Sequence, residues 1–382
     1  MSKSYIKRGQ SRSRLAVTLA LILLTVSLAG CAGEKQTPDN KLPKPETRNQ
    51  DSGGHTGAFL GSIRDEKLNP IELPEGSFML YCQWSPDGQW LAYSSNGDLF
   101  LYNAKKGQHR NLTNTPDRWE LMPFWSPDGT MLCFTSRPLY GSEGQPSPTG
   151  EWVMAGAWGG SPTVINLDGT GYKVLEEELV TNPGWSADGQ KVVYGHGGSI
   201  HLFDLKDRTV IKITAGEVGR QVRYIGSPSW SPTNPEIAFF FSDDDREPTR
   251  QEVMDNTASP TRQGYALLDL STSKIKILYT FEGLFIHRLP ALWNADGSKL
   301  ILNIRPEGYA HWPEGLMVVN RQSGDVQKIG EAYQAIWEPG GSRVAYMSSD
   351  NYQIINIVSF AGDNYTSKKL ENTNGFIKGI AW

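Results

Sequence analysis

The side chains with the means to bind or react fall in a few stretches between apolar runs. Arg137 to Pro162 carries Arg137, Tyr140, Trp152 and Trp158. Ser242 to Gly264 carries Asp243-Asp244-Asp245-Arg246. A shorter stretch holds Arg305, Tyr309, His311 and Trp312. Arg118-Trp119, Arg220, Arg223 and His287-Arg288 each lie just ahead of a further apolar run. Aromatic rings and guanidinium forks on loops are the groups that dominate protein-binding hot spots. The same groups suit stacking against sugar rings. The acidic triplet offers oxygen ligands to Ca²⁺, but the other positions of a regular calcium loop are missing, so it reads as a solvated run of charge.

The means for catalysis are sparse. His55, His109, His196, His201, His287 and His311 show no metal-ligand spacing. Gly195-His196-Gly197-Gly198-Ser199 imitates a stretch that forms oxyanion holes in some hydrolases, yet it aligns with Ser95-Asn96-Gly97-Asp98 and so reads as a turn. There is no Gly-x-Ser-x-Gly elbow, no phosphate-cradling Gly loop and no isolated nucleophile. The expectation is a protein without a chemical step of its own, without a cofactor and without a metal.

These stretches hang on a repeat. Trp84-Ser85-Pro86-Asp87-Gly88 returns as Trp125-Ser126-Pro127-Asp128-Gly129 and as Trp185-Ser186-Ala187-Asp188-Gly189. Weaker copies start at Trp230, Trp293 and Trp337, and a lone Trp382 follows. The spacings are 41, 60, 45, 63, 44 and 45 residues. In each copy a short apolar strand ends at Trp, the turn residues reverse the chain, and a second strand begins. Two more short strands complete each unit, as Leu99 to Tyr102 and His109 to Thr113 do in the first. Four-stranded units of this period form β-propeller blades. Phe376 to Trp382 reads as a first strand with no successor, and residues 58–73 as third and fourth strands with no predecessor. The expectation is an all-β propeller of seven four-stranded antiparallel blades, one split between the termini, with six blades as the alternative. The Trp residues are read as packing between blades.

The Trp-Ser-Pro-Asp-Gly corners, followed by Leu-Ala-Tyr-Ser-Ser or similar, resemble the repeats of the TolB family, whose propeller is related to WD-repeat proteins. The resemblance covers about residues 75–382. It implies a propeller scaffold in the bacterial periplasm rather than a shared task. Among propellers, some lyases acting on sugar acids gather His and a divalent metal on the axis; here such a reading would take His287, His311 and nearby carboxylates.

Upstream of the repeat, Lys3, Lys7, Arg8, Arg12 and Arg14 precede the apolar run Leu15 to Leu28, the layout of a signal peptide over residues 1–30. Leu28-Ala29-Gly30-Cys31 resembles the lipobox of bacterial lipoproteins, which implies cleavage before Cys31 and lipid on its sulfur. Residues 31–57 then read as a lipidated Cys and flexible tether, and 58–382 as the propeller domain. Without residues 1–30 the chain has 32 basic against 41 acidic residues, a formal charge of −9. That balance argues against nucleic acid and against broad binding to anionic lipid. Cys82 and Cys133 sit at non-equivalent places in neighbouring units and are expected to be separate buried thiols.

In a blade, the corner after strand one and the turn after strand three share one face. The turn after strand two and the link to the next blade share the other. Both long insertions follow a second strand. All the binding-type residues named above therefore map to the link face. The expectation is a monomeric, membrane-anchored, extracytoplasmic propeller whose link face binds an envelope protein or peptide. A glycan is the second ligand class, and a metal-dependent polysaccharide lyase or glycosidase the enzymatic alternative.

Overall fold

The computed structural model describes residues 59–64, 67–74, 79–138, 160–177, 180–219, 222–244, 261–283, 289–304, 315–338, 340–348, 354–362, 364–371 and 377–381. Two strands come first, β1 (Phe59–Arg64) and β2 (Lys67–Glu72). Blade 1 is β3 (Met79–Trp84), β4 (Trp90–Ser95), β5 (Asp98–Asn103) and β6 (Gln108–Asn111). Blade 2 is β7 (Arg118–Trp125), β8 (Met131–Pro138), β9 (Ser161–Asn166) and β10 (Lys173–Val174). Blade 3 is β11 (Thr181–Trp185), β12 (Lys191–His196), β13 (Ser199–Asp204) and β14 (Val210–Thr214), followed by one helical turn, Ala215–Val218. Blade 4 is β15 (Tyr224–Trp230), β16 (Glu236–Ser242), β17 (Thr261–Asp269) and β18 (Lys274–Gly283). Blade 5 is β19 (Leu292–Trp293), β20 (Lys299–Ile304), β21 (Gly315–Asn320) and β22 (Val326–Gly330). Blade 6 is β23 (Ala332–Trp337), β24 (Arg343–Ser348), β25 (Ile354–Ala361) and β26 (Asn364–Glu371), and β27 (Ile377–Ala381) ends the series.

The propeller has six four-stranded antiparallel blades, which corrects the expected count of seven. The terminal strands form a separate three-stranded sheet in the order β2-β1-β27, and β27 runs parallel to β1. The physical reason lies in the missing second strand. In an antiparallel blade the first and third strands point the same way. With no strand between them, β27 pairs directly with β1, and the pair is parallel. A first, a third and a fourth strand alone make a three-stranded sheet rather than a seventh four-stranded blade.

The corners explain the Trp-Ser-Pro-Asp-Gly pattern atom by atom. In the first, Ser85 Oγ donates to Asp87 Oδ1 (2.6 Å), the Gln89 amide donates to the same oxygen (3.0 Å), and the Trp90 amide donates to Ser85 Oγ (2.9 Å). Gly88 takes φ +67°, a conformation that favours glycine. The second corner repeats the set with Ser126, Asp128 and Met131. The third repeats it with Ser186, Asp188 and Lys191. These bonds, led by the Ser hydroxyl, hold the Asp87, Asp128 and Asp188 carboxyls below the usual range. In the fifth blade Asn294 substitutes for Ser, its Oδ1 accepting from the Lys299 amide (2.9 Å). In the sixth, an Arg343–Glu338 ion pair takes over.

Trp125, Trp185, Trp230, Trp293 and Trp337 pack between neighbouring blades, as expected. Trp125 lies 7% exposed in a layer built from Ala92, Leu99 and Leu101 of blade 1 and Leu132 and Phe134 of blade 2. Trp185 does the same between blades 2 and 3. The indole N–H is used in a repeated way. Trp125 Nε1 donates to the Gln83 carbonyl (2.9 Å), Trp185 to Phe124 (3.0 Å), Trp293 to Ser229 (3.1 Å) and Trp337 to Leu292 (2.8 Å). Every acceptor is the residue immediately before the Trp of the preceding blade.

A second repeat lies three residues before the Trp. Tyr81, Met122, Asn182 and Ser227 all take left-handed φ, at +43°, +56°, +49° and +47°. Each marks a bulge in the innermost strand of its blade. Pro follows in three of them: Met122-Pro123, Asn182-Pro183 and Ser227-Pro228. Proline has no N–H to give a ladder, so it suits the place where the ladder is broken. Cys82 and Cys133 are free thiols, as expected, Cys133 buried and Cys82 half-buried.

Two substitutions separate the two parts of the Trp contact. Trp185→Phe keeps much of the apolar area and loses the bond to the Phe124 carbonyl, for an expected cost near the net worth of one hydrogen bond, about 0.5–1.5 kcal/mol. Trp185→Ala opens a cavity and is expected to cost about 3–5 kcal/mol. Denaturant unfolding of the two variants checks the order.

Candidate site on the link face

Arg118, Trp119 and Arg137 are the described members of the expected set. They lie where the first strand of blade 2 begins and its second strand ends, at the link face. β7 and β8 pair Trp119 with Arg137 directly and Arg118 with Pro138. Both Arg side chains and the indole are half-buried. The Arg137 guanidinium stands over the Trp119 ring at 5.9 Å from its centroid, within the range of a cation–π contact. Burial lowers the Arg137 pKa from its ordinary value, which leaves it a cation at any physiological pH. Trp119 in turn lies over the turn of blade 1. A Cβ built on Gly97 would meet the Arg118 carbonyl at 3.6 Å and the Trp119 ring at 3.7 Å, and Gly97 itself takes φ +91°.

Arg118 is fixed from beneath. Its Nε donates to Ser136 Oγ (2.6 Å) and its Nη2 to the Ser136 carbonyl (3.3 Å). Ser136 Oγ also lies 2.7 Å from the Tyr172 hydroxyl. That hydroxyl donates to Glu120 Oε1 (3.1 Å). The other Glu120 oxygen accepts from Thr113 Oγ1 (2.7 Å), and Thr115 Oγ1 adds a bond to Oε1. Asp98 takes the Thr115 amide (3.0 Å) and Asn111 Nδ2 (2.7 Å). One network thus joins the link from blade 1, the first two strands of blade 2 and the turn ahead of β10. Buried networks of this kind rigidify when each member is satisfied.

Glu120 is the buried centre of that network, with none of its surface exposed. Burial raises its pKa; the Thr115, Thr113 and Tyr172 hydrogen bonds act against that, and the nearby Asp98 charge adds to it. Burial likewise pushes the Tyr172 hydroxyl up to about 12, so it remains a donor. Nothing in this arrangement is a nucleophile beside a base. What it presents outward is a held guanidinium, a second guanidinium and an indole face.

Tyr140, Trp152, Trp158, His287, Arg288, Arg305, His311 and Trp312 lie outside the described residues, as do Cys31, Arg220, Asp245 and Arg246. The structure therefore brings together Arg118, Trp119 and Arg137. Arg223 is described and exposed, beside Tyr224 over the turn of blade 3 at Gly198. Asp243 forms a two-pronged pair with Arg262 (2.9 and 3.1 Å), the behaviour of a solvated charge run. Among the described residues no three His, Cys, Asp or Glu side chains are grouped to hold a metal ion. Sequence reasoning missed Glu120, Ser136, Tyr172, Thr113 and Thr115. One signal for Glu120 was present: it is a lone acid in the apolar run Leu121-Met122-Pro123-Phe124-Trp125 and its approach.

Comparison with known proteins points to the scaffold. Residues 53–122 match the family described as the dipeptidyl peptidase IV (DPP IV) N-terminal region. Comparison with curated protein sequences gives no match. An oligogalacturonate lyase solved in complex with manganese aligns with TM-score 0.52 and 13% identity, over 74% of this chain and 76% of its own. The oligogalacturonate lyase of Vibrio parahaemolyticus aligns with TM-score 0.52 and 12% identity, over 74% and 77%. A protein of Agrobacterium tumefaciens described as a TolB aligns with TM-score 0.47 and 16% identity, over 71% and 86%. At these identities the likeness is one of fold alone.

The Glu120 network has a pH signature. A carboxyl with a raised folded pKa binds its proton more readily folded than unfolded. Its contribution to stability is therefore present at low pH and lost as pH rises through the folded pKa. Relative to Glu120→Gln, the wild-type protein is expected to gain stability as pH falls towards the ordinary Glu value of 4.5. Thermal melts of both proteins between pH 4.5 and 7.5 check the sign.

Proposed function

We propose that this chain is a lipid-anchored, extracytoplasmic propeller that binds an envelope protein or peptide through its link face and performs no reaction. The observation that carries the reading is the Arg118–Trp119–Arg137 group, held from below by the Ser136–Tyr172–Glu120 network. A half-buried indole flanked by two guanidiniums is the make-up of an interaction hot spot. Its anchoring limits the side-chain entropy lost on binding. The basic, apolar and Leu-Ala-Gly-Cys31 segments at residues 1–31 support export and lipid attachment. The acidic balance of the remaining chain supports a partner other than nucleic acid.

A glycan is the second reading. Trp119 offers a flat stacking face, and Arg137 beside it suits an acidic sugar. Two oligogalacturonate lyases share the fold, which supports a sugar acid as the glycan to try first.

The test uses the Cys31→Ser protein, which is expected to leave the membrane fraction, as bait against its own envelope extract. The same bait with Arg118→Ala and Trp119→Ala is the control. A defined protein captured by the first and lost by the second, with both baits equally folded by circular dichroism, is the expected result. No capture, with oligogalacturonate protecting Trp119 fluorescence from quenching, would move the function to the glycan. Continued membrane retention of Cys31→Ser would contradict the anchor.

A further inference from the structure

Two half-buried arginines of the blades carry their own counter-ion. Arg321 forks onto Glu236 through Nε (2.5 Å) and Nη2 (2.6 Å). Arg343 forks onto Glu338 through Nε (2.9 Å) and Nη2. Arg118 is half-buried too, and it has no carboxylate partner among the described residues. Its Nε and Nη2 donate to the hydroxyl and carbonyl of Ser136, both neutral. Its Nη1 has no acceptor there and is open to solvent. Taking a cation part-way out of water costs free energy that neutral partners offset only in part.

Acids on the same face are engaged elsewhere. Glu120 is buried and accepts from Thr113, Thr115 and Tyr172. Asp98 accepts from Asn111 and from the Thr115 amide. Glu176 accepts the Tyr194 hydroxyl of blade 3, and Asp243 forks with Arg262. Asp117, next to Arg118 in the chain, is exposed and forms no ion pair with it. Trp119 is left open in a similar way. Trp125, Trp185, Trp293 and Trp337 each give their indole N–H to a carbonyl of the preceding blade. The Trp119 N–H has no acceptor among the described residues and is not buried.

We propose, on the reading that the link face binds protein, that Arg118 seats a carboxylate of the bound partner, an Asp or Glu side chain, while Trp119 receives the residue beside it. The two are consecutive on β7, so one short extended segment reaches both. Guanidinium and indole nitrogens are donors only, and the Arg137 cation over the Trp119 ring adds to the same sign of charge. An acceptor that carries negative charge is the complement of such a group. Ser136 has already fixed the Arg118 fork, so an arriving carboxylate forms charge-assisted bonds with little ordering of the side chain left to do. Ser136 and Tyr172 are then positioning residues, which hold the fork and leave the contact to Arg118.

The experiment is nuclear magnetic resonance on the full-length protein, following the Trp119 indole N–H, which is identified by its loss in Trp119→Phe. The probes are the blocked peptide acetyl-Leu-Glu-Leu-amide and its Gln counterpart, with galacturonate and inorganic phosphate as further arms. The Glu peptide is expected to shift the signal and to bind about tenfold or more tighter than the Gln peptide, as a hydrogen bond to a charged group allows. Arg118→Gln should abolish that preference, and Ser136→Ala, which keeps the charge and frees the fork, should reduce it. Equal binding of the two peptides, no response to either, or a preference that survives Arg118→Gln would overturn the seat. A stronger response to galacturonate, or a response to phosphate alone, would overturn it in favour of a sugar acid or of a general anion. Should Arg118→Gln fail to fold, the Glu and Gln peptides on the wild type decide. Equal binding of the peptides, with a defined envelope protein still captured through the link face, would sink the carboxylate and leave the protein-binding reading standing. A Glu preference with no protein captured would do the reverse.

Discussion

The structure depends on one contact made over and over: the indole of one blade seated against its neighbour, its N–H on the carbonyl just before the neighbour's own Trp. That carbonyl is free for this use because it lies at the end of the innermost strand, at the edge of its sheet's ladder. The contact therefore fixes both the spacing of adjacent blades and their relative height. A blade has few partners besides its two neighbours, so the chain of contacts must close on itself. The closing sheet does this. β27 packs against both β23 and β3. Gln334 of blade 6 accepts the Ile380 amide (3.1 Å), and Cys82 of blade 1 approaches the Ile380 carbonyl at 3.6 Å. One short strand thus ties the last blade to the first.

Closure of this kind leaves the two faces unequal. The corner face is written into the repeat. Its Ser, Asp and Gly are spent on one another's hydrogen bonds, and Arg321 of blade 5 forks onto Glu236 of blade 4 (2.5 and 2.6 Å) to join neighbouring corners. The link face has no such fixed pattern. Among the described junctions two share one solution, an aromatic over a turn glycine (Trp119 over Gly97, Tyr224 over Gly198), and others differ: Gly160 bridged to Val180, the Tyr265 hydroxyl on the Leu289 carbonyl (2.9 Å). Freedom to vary, on a frame held elsewhere, is what a binding surface needs.

Much of the frame was legible in the sequence, because its cause is local. A Trp followed by Ser-Pro-Asp-Gly announces a strand end and a tight corner within five residues, and the period announces the blade. The blade count failed because it depends on pairing between residues more than 300 positions apart. The left-handed bulges were written as Met122-Pro123, Asn182-Pro183 and Ser227-Pro228 and went unread. The site was legible only as composition. Arg118, Trp119 and Arg137 stood out by residue type, whereas Ser136, Tyr172, Thr113 and Thr115 are ordinary residues that matter through contacts set by the fold. Glu120 and Glu176 look like surface charges in the sequence; burial and cross-blade partners make them otherwise.

The central claim, that the link face is the working surface, is tested most directly in place. Hydrogen exchange would be compared between the anchored protein in its own envelope vesicles and the same protein after detergent extraction. The account predicts protection in the envelope at residues 118–120, 136–138 and 160, which relaxes on extraction, while the corners at 86–88, 127–129 and 187–189 exchange alike in both. Protection confined to the corners, with the link face unchanged, would contradict it.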